Sequence, residues 1–218
     1  MVPSIQLARP FARNWRSLLV EGLERAAGLV LLAVSSPVLI FAALITAILS
    51  KRSPLVAHLR VGWNDEPFWM LKLRSMWPRE APSDRRSNWI EYIVADTDAE
   101  SKPSFDARVT SRFAAFCRRH SIDELPQFWH VAAGEMSLVG PRPLTRPEIA
   151  RHFGARSGEL LSVKPGLTGL WQVSGRSKVK FPQRAALDLA LVGGLTPSLY
   201  FTIILRTCAS LVRGQGAW

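Results

Sequence analysis

The feature that most constrains this chain is a run of about 25 residues without a charge, Ala26 to Ser50, reading AAGLVLLAVSSPVLIFAALITAILS. A straight helix of that length is about 37 Å long, enough to cross the hydrocarbon core of a bilayer. It starts too late and runs too long for a cleavable signal peptide, and no small-x-small site precedes a polar mature start. Ser35-Ser36-Pro37 stands near its middle, where a proline removes a backbone hydrogen bond and clashes with the preceding turn. Serine hydroxyls can satisfy the freed carbonyls in lipid. Both flanks are basic: Arg9, Arg13, Arg16 and Arg25 precede the run, and Lys51, Arg52 and Arg60 follow it. The positive-inside rule gives no orientation for a straight span with cations at both ends. A helix broken at Ser36-Pro37, with both ends on the cytoplasmic face, has no such conflict. The expectation is a re-entrant hairpin; a single transmembrane helix is the simpler alternative.

The full chain has 218 residues, 28 Lys+Arg against 17 Asp+Glu and a formal net charge of +11. Hydrophobic residues at 48% exclude a disordered polymer. Two cysteines, Cys117 and Cys208, exclude a disulfide scaffold and a Cys-rich zinc site. The basic excess requires an anionic partner: nucleic acid, an anionic bilayer or a phosphorylated substrate. The cations are 22 Arg to 6 Lys, which favours bidentate phosphate contacts over mere solubility. Binding nucleic acid would interleave arginines and aromatics on a soluble surface. Here they accompany an uncharged run, so the partners are anionic lipid and a phosphorylated substrate.

Three segments are expected: a basic arm and helix start over 1–25, the membrane helix over 26–50, and a catalytic domain over 51–218. The fold class is α+β, mainly helical, with a small β element and interfacial amphipathic helices. Phe68 to Arg74 alternates as a strand after a Trp63-to-Glu66 turn. Residues 80 to 106 hold seven of the 17 acids and read as a surface excursion with a helix from Asn88 to Ala95. A helix is expected from Val109 to His120, with Val109, Phe113, Phe116 and Cys117 on one face. Another runs from Glu124 to Ala133 and stops at Gly134. Gly140-Pro141-Arg142-Pro143 and Lys164 to Trp171 read as loops. Thr196-Pro197 caps a C-terminal helix whose wide apolar face suits either a membrane interface or a packed core.

Between residues 107 and 187 there are 13 basic residues and five acids, two of them adjacent: Asp123 and Glu124. Neighbouring cations lower a carboxylate's pKa and keep it ionised. Adjacent acids on an arginine-rich helix boundary suit nucleophilic or Mg²⁺-assisted phosphoryl chemistry. The structural alternative is a capping box, with Ser121 as N-cap and Glu124 reaching back. That cap puts Pro126 at the fifth helical position, where it clashes. With Asp123 as the cap, Pro126 is tolerated but Glu124 has no capping role. Either way one acid lacks a purely structural job.

Arg118 to Gln127, followed by Gly134-Glu135-Met136-Ser137-Leu138-Val139-Gly140-Pro141-Arg142-Pro143, closely resembles the bacterial sugar transferase family, the monotopic phosphoglycosyl transferases. Arg60-Val61-Gly62, Lys72-Leu73-Arg74-Ser75-Met76 and the segment from Lys164 to Arg176 add to the resemblance, which runs from about residue 20 to the C-terminus. It implies transfer of a sugar 1-phosphate from a UDP-sugar to polyprenyl (undecaprenyl) phosphate, with release of UMP, as the first step of exopolysaccharide synthesis. Asp123 is then the nucleophile of a covalent intermediate, and Glu124 the partner that helps hold Mg²⁺. Lys72, Arg74, Arg118, Arg119, Arg142 and Arg176 are candidates to bind the phosphates. Ser36-Pro37 matches the family's helix break, and the location implied is the cytoplasmic face of a bacterial inner membrane. A homo-oligomer is compatible with this.

The chain departs from the family at three points. It resembles the short form, Val192 to Pro197 replaces a more aromatic and polar segment, and His130 stands where many members have Asn. A non-catalytic membrane adaptor with the same fold is the competing reading. An absent acid pair or a broken Pro-Arg-Pro loop would have favoured it, and both are intact.

Overall fold

The computed structural model describes residues 15–77, 88–94, 111–175 and 179–213. Arg9, Arg13, Val109, Arg176 and most of the 80–106 excursion lie outside them.

The uncharged run is one continuous helix, α1 (Trp15–Ser50), with Pro37 inside it. Its Leu19–Ser50 part is long and apolar enough to cross a membrane. At the proline the two serines turn back on their own helix. Ser35 Oγ donates to the Leu31 carbonyl at 2.6 Å and Ser36 Oγ to the Ala33 carbonyl at 2.8 Å. Burial along α1 is divided: Gly28 is buried, as are Ala42, Thr46 and Ser50, whereas none of the residues 29–41 is. Leu29, Val30, Val34, Val38, Ile40 and Phe41 present apolar side chains outward.

A three-stranded sheet follows, in the order β2-β1-β3. The expected strand at Phe68–Arg74 is β2 (Pro67–Leu73), and it forms an antiparallel hairpin with β1 (Leu55–Val61), Leu55 opposite Leu73 and Val61 opposite Pro67. Asn64 and Asp65 take left-handed backbone angles in the turn (φ 54° and 67°). The third strand corrects the expected helix at 88–95. β3 (Ile90–Ile93) pairs parallel to the other edge of β1, Leu55 opposite Ile90. Its Trp-Ile-Glu-Tyr-Ile sequence is rich in aromatic and β-branched residues, and the free edge of β1 supplies its backbone partners.

Ser111 caps α2 (Arg112–Arg119) by accepting from the Phe113 and Ala114 amides at 3.1 and 3.2 Å. Ala114 and Cys117 are its buried residues, while Phe116 is half exposed. The expected helix from Glu124 is two pieces. A 3-10 turn, Ile122–Gln127, runs into the short α3 (Phe128–Ala133), which ends at Gly134 with φ 82°. Gly134 is obligatory there: a side chain would be strained and would collide with the Arg25 guanidinium. That guanidinium itself closes the helix, Nη2 donating to the Ala133 carbonyl at 2.9 Å.

The expected loop at 164–171 is more ordered than its glycines suggest. β4 (Ser137–Val139) pairs parallel with β5 (Gly166–Thr168), and α6 (Leu170–Ser174) begins two residues later. The glycines permit close backbone approach instead of freedom: Gly140 N–H donates to the Thr168 carbonyl at 2.9 Å and Gly166 N–H to that of Pro141 at 2.8 Å. α4 (Arg146–Phe153) starts with a Thr145–Glu148 capping box. α5 (Ser157–Leu161), α7 (Phe181–Gly194) and α8 (Pro197–Arg213) complete the described chain. Thr196 Oγ1 accepts from the Leu199 amide at 3.2 Å, so it acts as the expected cap. α8 packs on one side only: Ile203 is buried with Val139 and Leu191, while Phe201 and Leu205 are exposed.

Candidate active site

Asp123 and Glu124 sit inside the 3-10 turn, and neither carries out the capping considered from sequence. Ser121 is left-handed (φ 54°), makes no side-chain cap, and accepts the Glu124 amide on its carbonyl at 3.1 Å. The tighter turn accommodates Pro126, which is buried, and both carboxylates are released from structural duty. Ser75, just beyond β2, is buried and donates to Asp123 Oδ2 at 3.4 Å.

Lys72 projects from β2 to within 3.6 Å of Glu124 Oε1. Burial pulls its ammonium below the ordinary value. Glu124, then Asp123, oppose that shift, and Arg142 and Arg60 add to it. Arg118, at the end of α2, also acts on Asp123. Its neighbour Arg119 is exposed, as the roughly 100° between successive helical residues requires.

The expected lowering of the Asp123 pKa by neighbouring cations is outweighed, although the group remains mostly ionised at neutral pH. Its pKa is raised to about 6, first by burial and then by Glu124, against the opposing pull of Lys72 and Arg118. Desolvation exceeds the attraction because protein surrounds the carboxyl group and its closest acidic neighbour is a like charge. Burial, and then the Asp123 charge, push the Cys117 thiol up to about 12, so it stays protonated.

Arg142 is presented by a loop fixed at both ends. Gly140 is tied to Thr168, and the Leu144 carbonyl accepts the Val61 amide at 2.9 Å. Its guanidinium lies 5.7 Å from the Trp171 ring centroid, with that of Arg184 at 4.7 Å. Beneath them Asp188 is buried. Burial raises its pKa to about 7, while the Arg142 backbone amide and the Arg142 and Arg184 charges oppose the shift.

The fold therefore brings Lys72, Arg118 and Arg142 into one charged group with Asp123 and Glu124. Arg74 is placed differently. It is buried, with Nε donating to the Ser53 carbonyl at 2.7 Å and Nη2 paired to Glu91, which joins β3 to the rest of the sheet. Three contributors had not been singled out for the site from sequence: Arg60, Ser75 and Arg184. Arg60 and Ser75 stand within recognised motifs, which was the available signal. Arg184 offered none.

A family model described as "Bacterial sugar transferase" matches residues 15–214. This chain belongs to the bacterial sugar transferase family. Among similar members, the UDP-galactose-lipid carrier transferase of Erwinia amylovora is 36% identical over 167 residues, covering 76% of this chain and 35% of that protein. The undecaprenyl-phosphate galactose phosphotransferase of Salmonella typhimurium is 31% identical over 217 residues, covering 98% and 44%. The UDP-glucose:undecaprenyl-phosphate glucose-1-phosphate transferase of Caulobacter vibrioides is 35% identical over 236 residues, covering 99% and 80%. The chain thus spans less than half the length of the first two. In this bacterial sugar transferase the matched region takes in α1, the acid pair and the Pro-Arg-Pro loop together.

Proposed function

We propose that this chain transfers a sugar 1-phosphate from a UDP-sugar to undecaprenyl phosphate, as an initiating step of exopolysaccharide synthesis. The observation that carries the reading is the half-buried Asp123–Glu124 pair, freed from capping and bordered by Lys72 at 3.6 Å. A carboxylate oxygen of Asp123 attacks the β-phosphorus of the donor. The bond to the bridging oxygen breaks, UMP leaves, and the sugar phosphate remains as an acyl phosphate. A phosphate oxygen of undecaprenyl phosphate then attacks the same phosphorus, forming the lipid diphosphate sugar and freeing Asp123. Splitting the transfer in this way means that a soluble donor and a lipid acceptor need not share the site. Lys72, Arg118 and Arg142 offset the charge on the phosphoryl oxygens.

Among the described residues no cluster of three or more His, Cys, Asp or Glu could cage a metal. Two adjacent carboxylates suit Mg²⁺, which takes its other ligands from phosphates and water. Glu124 and Asp123 would hold it, and it supplies further charge neutralisation at the diphosphate.

A re-entrant α1 on the cytoplasmic face of the inner membrane fits this chemistry. Both arms of α1 have buried residues against the domain that carries Asp123, while the stretch around Ser36-Pro37 is open. The outward Phe201 and Leu205 of α8 suit the membrane interface. The test is incubation with Mg²⁺ and a UDP-sugar labelled in its β-phosphate. Label should be found on the Asp123 peptide and move to undecaprenyl phosphate, and Asp123→Asn should abolish both. Product formed without label at position 123 would remove the covalent scheme.

A further inference from the structure

The two supports of the site, the turn with Asp123 and Glu124 and the strand with Lys72, are joined by a side chain outside the reacting group. His130 is the third residue of α3, which continues directly from that turn. It is buried, and its Nε2 accepts the backbone N–H of Leu71 at 2.9 Å. Leu71 immediately precedes Lys72 on β2, an outer strand of the sheet. The other ring nitrogen, Nδ1, lies 2.6 Å from Glu135 Oε2. A nitrogen that accepts carries no proton, so Nδ1–H is the donor and a single neutral tautomer satisfies both contacts.

The local chain is shaped for this arrangement. The left-handed Gly134 turns the backbone so that the Glu135 and Met136 amides both donate to the His130 carbonyl, at 2.9 and 3.0 Å. That return places the Glu135 carboxylate beside the ring of the residue five positions earlier. Phe68 of β2 packs edge-on against the same ring, centroids 5.4 Å apart. His130 is thus gripped by a strand, a turn and an aromatic face.

We infer that His130 is a positioning residue: it pins α3 to β2 beside Lys72 and so sets the 3.6 Å Lys72–Glu124 contact. It touches no substrate, and it acts on transfer only through Lys72. The inference rests on the transferase reading for its kinetic consequence, but not for the contact itself.

A double-mutant cycle tests it, using the full chain in membranes. His130→Ala should lower kcat by about 10-fold with donor KM changed less than about 3-fold, whereas in a Lys72→Met background the same change should cost less than about 3-fold. His130→Gln, whose Oε1 can stand where Nε2 accepts, should recover most of the rate. Equal losses in the two backgrounds, or a Gln variant no better than Ala, overturn the proposal. Deuterium uptake by the β2 peptide provides the second arm. Faster exchange in His130→Ala than in wild type, reversed in His130→Gln, supports the contact; equal exchange in all three overturns it. A wild-type protein without transfer activity defeats the transferase reading alone, and the exchange arm still judges His130.

Discussion

Gly28 of α1 lies against Ala132 of α3 so closely that a methyl group on it would stand 2.7 Å from the Ala132 amide nitrogen. The long apolar helix and the helix following the acid pair therefore meet backbone to backbone. Arg25 reinforces the contact at the Ala133 carbonyl, and Glu24 Oε1 accepts from Ser137 Oγ, the Leu138 amide and the Tyr200 hydroxyl at 2.5, 3.0 and 2.7 Å. The placement of α1 and that of β4, α3 and α8 are thus coupled.

Gly28→Leu should force the two helices apart, at a cost of about 1–3 kcal/mol for overpacking. The expected outcome is a protein that still fractionates with membranes, because residues 29–41 are untouched, but transfers slowly and unfolds at lower temperature in detergent. Wild-type turnover and melting by the variant would show that the close approach is dispensable.

The raised pKa of Asp123 has a signed consequence for rate. The proposed nucleophile attacks only when ionised, so kcat/KM should rise with pH through about 6 and level off above it. Lys72 lowers this pKa and Glu124 raises it. Lys72→Met should therefore move the acid limb to higher pH, and Glu124→Gln to lower pH, each apart from its effect on the plateau. Rate profiles across pH 4 to 9 check both directions; limbs that do not move would detach Asp123 from the titration.

Much of this site was legible because charge and proline are visible in a sequence. Asp123 and Glu124 stood out as adjacent acids among arginines, and Pro126 already conflicted with a capping role. The depth of the turn was not visible, so the cations appeared to decide the pKa that burial decides. The Arg74–Glu91 pair was not visible, because Glu91 arrives on a strand hidden in an acidic stretch. His130 stood out only as a departure from the usual Asn; its contact with Glu135 was hidden, since only the left-handed turn at Gly134 folds Glu135 back onto it.

The Arg74–Glu91 pair makes that distinction measurable. Both side chains are largely buried, 7% and 16% exposed, so removing one partner leaves an uncompensated charge worth about 3–5 kcal/mol. Arg74→Met should lower the unfolding temperature markedly while donor KM stays near wild type. Adding Glu91→Leu should restore part of the stability. A large rise in donor KM at unchanged stability would instead mean that Arg74 reaches the donor.

In the proposed re-entrant arrangement, Pro37 sets the topology of α1. With proline at this position the backbone lacks one hydrogen bond, and Ser35 and Ser36 occupy the neighbouring carbonyls. Pro37→Leu restores the missing donor and removes the ring clash, so a straight helix of about 54 Å becomes the lower-energy form. Such a helix crosses the bilayer, carrying the N-terminal arm to the far side and breaking the Glu21–Lys164 contact of 2.8 Å. A cysteine introduced by Ile5→Cys in a Cys208→Ser background reports the change. It should be protected from an impermeant thiol reagent in whole cells when Pro37 is present, and labelled when Leu replaces it. Transfer activity should fall together with the appearance of labelling. Protection in both proteins would leave Pro37 as a local kink without control over which side the arm occupies.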